Sequence, residues 1–369
     1  MTMRKESLAG VFSQQQIGRR PFNTALAALG IGLMTVPLLR RPAAAASDLT
    51  YFTWSGYEIP EFHKAYVEKY GAGPEASLFG DDEEGFQKIR AGFSPDITHP
   101  CFDKIDRFRA ADLIQPIDVS RIPEWASLFP SLTSLPGVQS DGQVWFVPWD
   151  WGNTSILYRT DLVEIKEESW SLLWDDRYSG RMATIDAIHD TPVVAAIVAG
   201  VDPFNLSDAD LPKVRAALEK QRPLVRMYTT DMTSVEQALA SGELVAAMTW
   251  NDSMVRLTQQ GLPVKFMQPK EGILTWVCGY VLHKGTPNLD KAYDFINARL
   301  APESGAYLIN EYGYGNANRK AFELISEARL AELGLPKDPS IMLDNSVVLR
   351  PMRDADAVTR MFEEVKAGY

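Results

Sequence analysis

At 369 residues the chain is long enough for about two domains of ordinary size. Apolar residues make up 46% and charged residues 23%, a globular balance that excludes a disordered or fibrous protein. Two cysteines exclude a disulfide framework, four histidines leave little for a multi-ligand metal centre, and a net charge of −11 argues against nucleic acid as a partner.

The N-terminus reads as an address. Arg19-Arg20-Pro21-Phe22 precedes an apolar run over residues 25–39, and Pro42 is followed by four alanines. A basic segment, an apolar core too short to span a bilayer and an Ala-x-Ala pattern predict an export signal over residues 1–46, with cleavage after Ala46. The paired arginines resemble the twin-arginine type. An uncleaved anchor fits less well, because Gly30, Gly32 and Pro37 interrupt the run and Arg40-Arg41 close it. Loss of residues 1–46 removes six basic residues and one acid, leaving a mature charge of −16. No later stretch is long and apolar enough to cross a membrane, which predicts an exported, soluble chain in an oxidising compartment.

Strands and helices then alternate. Residues 49–54 predict a strand, and residues 60–70 a helix with Phe62, Tyr66 and Val67 on one face and Gly71 at its C-cap. Asp81-Asp82-Glu83-Glu84 reads as the acidic first turn of a helical pattern over 86–93. Residues 96–98, 144–148 and 154–158 predict strands, 212–220 and 234–242 helices, and 244–250, 264–266 and 273–282 strands. Residues 289–300 predict an amphipathic helix. Strands separated by helices imply an α/β fold with largely parallel sheets. The absence of a long flexible linker suggests two lobes joined by crossing strands, with a ligand between them.

Trp54 ends the first strand, Trp149 and Trp151 bracket Asp150 after another, Trp250 ends a third, and Trp276 opens Trp276-Val277-Cys278-Gly279. Ligands in open α/β sheets bind beyond the carboxyl ends of strands. Aromatic rings with nearby acids suit an alkylammonium, since ring faces attract the cation and a carboxylate neutralises it; core packing is the alternative for each tryptophan singly. Cys101 follows a strand and Cys278 lies within one, so their pairing stays open. His99 with Cys101 is too little for zinc, and no nucleophile elbow, phosphate loop or His-Glu-x-x-His appears. Scattered Ser, His and Asp could still assemble a triad in space.

Over nearly the whole mature chain the sequence resembles the spermidine/putrescine-binding periplasmic proteins, extracellular solute-binding components of ABC importers. The resemblance rests on Tyr51-Phe52-Thr53-Trp54-Ser55-Gly56-Tyr57, Pro95-Asp96-Ile97, Leu113-Ile114-Gln115-Pro116-Ile117-Asp118 and Pro148-Trp149-Asp150-Trp151-Gly152. It continues through residues 169–180, Met248-Thr249-Trp250-Asn251, Pro269-Lys270-Glu271-Gly272 and Gly313-Tyr314-Gly315-Asn316-Ala317-Asn318. It implies a two-lobed α/β fold of the periplasmic-binding-protein type II, each lobe a mixed sheet flanked by helices, with the cleft at the hinge. The expected lobes are 47–153 plus 277–322 and 154–276 plus 323–369. It implies a monomeric periplasmic receptor without catalytic residues, cofactor or metal, whose partners are a small amine and a membrane permease.

The implied ligand-binding residues are Trp54, Tyr57, Cys101, Asp103, Trp151, Asp190, Trp250, Trp276 and Cys278. Trp54 and Tyr57 match the family's first-lobe aromatics, Trp250 and Trp276 those of the opposite lobe, and Asp190 falls near a family glutamate. Departures matter: an acid of the family is Cys278 here, a serine is Cys101 and a tyrosine is Asp103. A buried ammonium without its carboxylate costs several kcal/mol. A polyamine therefore requires rearranged acids such as Asp103, and a ligand with one ammonium, such as 4-aminobutyrate, is the alternative. An exported hydrolase is the rival from another class. An Fe³⁺ receptor is disfavoured because Gly313 separates Tyr312 from Tyr314.

Overall fold

The computed structural model describes residues 47–80 and 82–368. The expected export signal over 1–46 and the first acid of the Asp81–Glu84 run lie outside the described residues. Among the described residues no helix is long and apolar enough to cross a membrane.

A continuous mixed sheet runs through the molecule in the order 74–79, 47–54, 97–98, 274–283, 147–159, 246–250, 182–184, 225–228. Two long strands form its centre. The first crossing strand, Val147–Arg159, carries the chain outward, and the second, Leu274–His283, brings it back. They pair antiparallel from Leu274 opposite Thr154 to Tyr280 opposite Val147. The expectation of largely parallel sheets holds only at the flanks, where Ser47–Trp54 runs parallel to Pro74–Phe79 and Ile97–Thr98, and Met182–Thr184 parallel to Ala246–Trp250 and Val225–Tyr228. A segment that leaves one lobe and a segment that returns must run in opposite directions, so the centre is antiparallel.

The two strands expected over 144–148 and 154–158 prove to be parts of one strand, with only the short Gln143–Val144 separate. Gly152 falls between the two expected strands. In the fold it is a strand residue where a neighbour approaches closely. A Cβ there would stand 2.2 Å from Cζ2 of Trp276. The helix expected over 60–70 divides at His63 into a turn, Pro60–Phe62, and a helix, Lys64–Tyr70, which ends as expected on Gly71 at φ 79°. The acid run does open a helix, Asp82–Arg90, where Glu84 accepts the backbone N–H of Gly80 and Glu83 pairs with Arg107. Leu289–Leu300 forms as expected.

Side-chain burial divides the interior. One cluster draws on residues 49–151 and 277–343, a second on 156–274 with Leu349, and a third joins Ala195, Ala196, Leu206, Val214 and Leu218 to the C-terminal helix Ala355–Ala367. Ile325, Leu330, Leu333, Leu335 and Leu343, expected in the second lobe, pack with the first cluster. Trp250 and Trp276 are the partly buried residues that border both large clusters.

Candidate functional site

Strand register assembles the site. Residues directly opposite in a sheet project to the same face, and successive residues alternate. Thr154 lies opposite Trp250, Gly152 opposite Trp276, and Asp150 opposite Cys278, which in turn bridges to Cys101. One face of the crossing strands therefore carries Trp250, Thr154, Trp276, Asp150, Cys278 and Cys101. The indole of Trp276 lies over Gly152, which has no side chain to lift it. The step from Asp150 to Thr154 spans about 13 Å of strand, room for a cargo of a few methylenes.

Asp190 joins this face from the start of the helix Thr191–Val198. It is buried, and burial raises its pKa to about 7, with the charge of Asp103 adding to the rise and the nearby Thr154 hydroxyl and Lys104 opposing it. Its Oδ1 makes no hydrogen bond of good geometry, close as the Thr154 hydroxyl stands. Asp252 begins the helix Asn251–Gln259, and burial raises its pKa against the pull of Arg256 at 2.7 Å. Its Oδ1 likewise lacks a well-aligned partner, although the Tyr314 phenol is adjacent, and Tyr314 meets Trp276 edge-on at 4.9 Å. The indole N–H groups of Trp54 and Trp276 are buried without acceptors. A buried polar group left unpaired costs about 1–3 kcal/mol, which makes these four atoms candidates for contact with a ligand.

Asp103 takes a different part. Its carboxylate accepts from Lys104 Nζ at 2.5 Å and lies 3.2 Å from His189 Nε2, while Lys104 Nζ donates to His189 Nδ1 at 3.1 Å. Burial pushes the Asp103 pKa up, but Lys104 and His189 together outweigh it and hold the group ionised. Asp103 is thus already neutralised, so it does not stand free to replace an acid missing at Cys278. Burial lowers the His189 pKa to about 4, leaving the ring neutral.

Cys101 and Cys278 are joined in a disulfide, which settles the pairing left open by the sequence. Neither sulfur can act as a thiolate. Tyr57 is buried edge-on to His99 and Trp149 at 5.1 and 5.8 Å, with burial and then Asp150 keeping its phenol protonated. Trp54 packs against Phe79 at 4.7 Å. Trp151 lies on the opposite face of its strand: it is fully buried, donates its indole N–H to the Asn316 carbonyl at 3.1 Å and packs on Gly315. It backs the wall of the site and does not line it. Two open cavities, of ≈ 600 Å³ around Lys270 and Asp338 and ≈ 830 Å³ around Glu164 and Arg177, lie away from all these residues.

Thr53, His99 and Asp150 do form a relay, with Thr53 Oγ1 3.1 Å from His99 Nδ1 and His99 Nε2 2.8 Å from Asp150 Oδ1. All three side chains are sealed from solvent, at 0%, 0% and 1% exposure. A hydroxyl that no substrate can reach is a core hydrogen bond. Sequence reasoning passed over Lys104, His189 and Asp252, which stand beside the candidate site residues, and nothing local pointed to Lys104.

The family model for bacterial extracellular solute-binding proteins matches residues 75–332, more than two thirds of the chain. The chain belongs to that family. Such a protein is the solute-binding component of a transporter, and it works outside the cytoplasmic membrane, in the periplasm. This solute-binding protein is 26% identical to the putrescine-binding periplasmic protein PotF of Escherichia coli, across 93% of this chain and 96% of the relative. It is 25% identical to the putrescine/agmatine-binding protein of Pseudomonas aeruginosa, across 88% and 93% respectively. Its fold is that of the spermidine/putrescine ABC transporter substrate-binding protein PotD of Streptococcus pneumoniae, with a TM-score of 0.74 at 21% identity, covering 86% of this chain and 98% of that one.

Proposed function

We propose that this solute-binding protein captures a small alkylammonium, a polyamine or a related amine, and delivers it to an ABC permease. The observation that supports the reading is a strand face carrying Trp250 and Trp276 with two buried carboxylates beside it, Asp190 next to Thr154 and Asp252 next to Tyr314, each with an oxygen lacking a well-aligned partner. Indole faces attract an ammonium and a carboxylate fixes it by a charge-assisted hydrogen bond. The names of the putrescine-binding relatives support the same class. The lobes are proposed as 47–153 plus 277–343 and 154–276 plus 344–369, closing on the cargo as a monomer. Closure around the ligand is the change that a permease would read.

We read the role as non-enzymatic because the family is one of solute-binding proteins, and the Thr53-His99-Asp150 relay described above is closed to substrate. The test is thermal melting of the purified protein against putrescine, spermidine, agmatine and 4-aminobutyrate. The account expects reversible stabilisation that grows with the logarithm of amine concentration and no turnover. An absence of stabilisation by every amine contradicts it.

A further inference from the structure

We infer that Asn251 is a positioning residue for the cargo site: its buried side-chain amide bridges the two large core clusters and fixes where Trp250 stands relative to Trp276 and Tyr314. This deepens the alkylammonium reading and rests on it.

The strand Ala246–Trp250 stops opposite Thr154, and the chain turns there into the helix Asn251–Gln259. The Asn251 side chain then takes over from the missing strand residue. Its Oδ1 accepts the Asn153 N–H at 3.0 Å, as a backbone carbonyl would in a longer strand, and its Nδ2 donates to the Gly313 carbonyl at 2.6 Å. An amide has one acceptor end and one donor end, and only this orientation suits an N–H on one side and a carbonyl on the other. Asn153 passes the link on, its own Nδ2 donating to Thr275 Oγ1 at 2.7 Å and to the Leu274 carbonyl at 3.3 Å. Asn153, Asn251 and Thr275 are all buried.

The elements so joined belong to different cores. Gly313 caps the helix Pro302–Tyr312, whose Leu308 and Ile309 pack in the first cluster, whereas Asn251 opens a helix whose Leu257 packs in the second. A second observation, independent of the amide, shows how close the approach is. Gly313 lies in the left-handed region at φ 71°, and a Cβ on it would stand 3.3 Å from Cγ2 of Val255 on that same second-cluster helix.

Each member of the bridge is next in sequence to a candidate cargo residue. Asn251 follows Trp250, Thr275 precedes Trp276, and Gly313 precedes Tyr314, whose ring meets Trp276 edge-on. Asn153 and Thr275 lie opposite each other in register, and alternation puts them on the side of the crossing strands away from Gly152 and Trp276. Both ends of the Asn251 amide are taken by backbone groups, so it acts on the cargo through its neighbours. Without the bridge, the helix and Trp250 before it are free to shift against Trp276, and a looseness of about 1 Å is enough to spoil a binding constellation.

Calorimetric titration with putrescine, spermidine, agmatine and 4-aminobutyrate, alongside thermal melting, tests this. The wild type fixes which of the four binds most tightly. Asn251→Ala should weaken binding of that compound by about tenfold or more, the worth of one buried hydrogen bond. Ser304→Ala is the control: it removes a buried hydrogen bond confined to the first cluster, from Ser304 Oγ to the Phe62 carbonyl at 2.8 Å. It should lower the melting temperature and leave the affinity within about twofold. Should Asn251→Ala not fold, Asn251→Ser, too short to reach both partners but able to hold a water, should weaken binding by about threefold or more. An unchanged affinity in a folded Asn251 variant, or an equal loss in Ser304→Ala, overturns the inference while leaving the amine receptor standing. Binding of none of the four by the wild type brings down the amine reading and this refinement together.

Discussion

Two buried polar regions of this protein lie within a few residues of each other along the crossing strands and behave in opposite ways. In the first-lobe core, Arg299 is fully buried, donates to the Tyr280 hydroxyl at 2.6 Å and to the Tyr57 carbonyl at 2.9 Å, and sits 3.9 Å from the ring of Trp149. Its remaining Nη2 has no hydrogen-bond partner, but the guanidinium rests among five aromatic rings. His99 and Asp150 close the same network. Among the candidate site residues and their neighbours, Asp190, Asp252, Trp54 and Trp276 each keep a buried polar atom without a well-aligned partner. A polar group in low dielectric is stabilising only when paired. The core network leaves Arg299 Nη2 without a hydrogen bond but encloses it in rings of the chain itself, whereas we read the four unpaired atoms near the candidate site as open to a ligand.

The largest effect that would sharpen this contrast is in the core. Arg299→Ala strips partners from Tyr280 and Tyr57 and opens a void among aromatic rings, with an expected loss of about 3–5 kcal/mol in urea denaturation. Amine affinity of the folded fraction should change far less. A large affinity loss with unchanged stability would reverse the assignment of the two regions.

Next is the pH dependence of the ligand-free protein. Asp190 has a folded pKa of about 7, above its ordinary 3.8, so its stabilising contribution is complete below about 4 and is lost as pH rises through about 7. The wild type should lose about 4 kcal/mol across that window relative to Asp190→Asn. Equal pH profiles for the two proteins would mean that Asp190 is not held in the cleft as described.

Reduction of the Cys101–Cys278 disulfide, which ties residues 177 apart in sequence, should cost about 2–4 kcal/mol of stability, read as a lower melting temperature in reductant. Trp250→Ala carries the smallest expected effect, about tenfold weaker amine binding with little change in melting, the worth of one desolvated ring face toward a cation.

What could be read from the sequence follows from the range of each interaction. Helix and strand positions are local, and Leu289–Leu300 or Gly71 at its cap needed only periodicity and a glycine in the left-handed region. Indoles at strand ends were visible because Trp54 and Trp250 close apolar runs. Trp151 was expected just beyond a strand over 144–148, and in the continuous strand Val147–Arg159 alternation turns it to the face opposite Asp150 and Gly152. The Cys101–Cys278 pairing, and the contact of Lys104 with His189 across 85 positions, depend on distances that no local pattern encodes.

The central claim is that a cargo ammonium meets Asp190 on the face of Trp250 and Trp276, and proton exchange on binding tests it most directly. Asp190 is mostly protonated at pH 6, and an arriving ammonium favours the carboxylate. Calorimetric titration with the bound amine, in buffers of different ionisation enthalpy, should show close to one proton released at pH 6 and almost none above pH 8.5. Binding that releases no proton at pH 6, or that is unchanged in Asp190→Asn, would contradict the account.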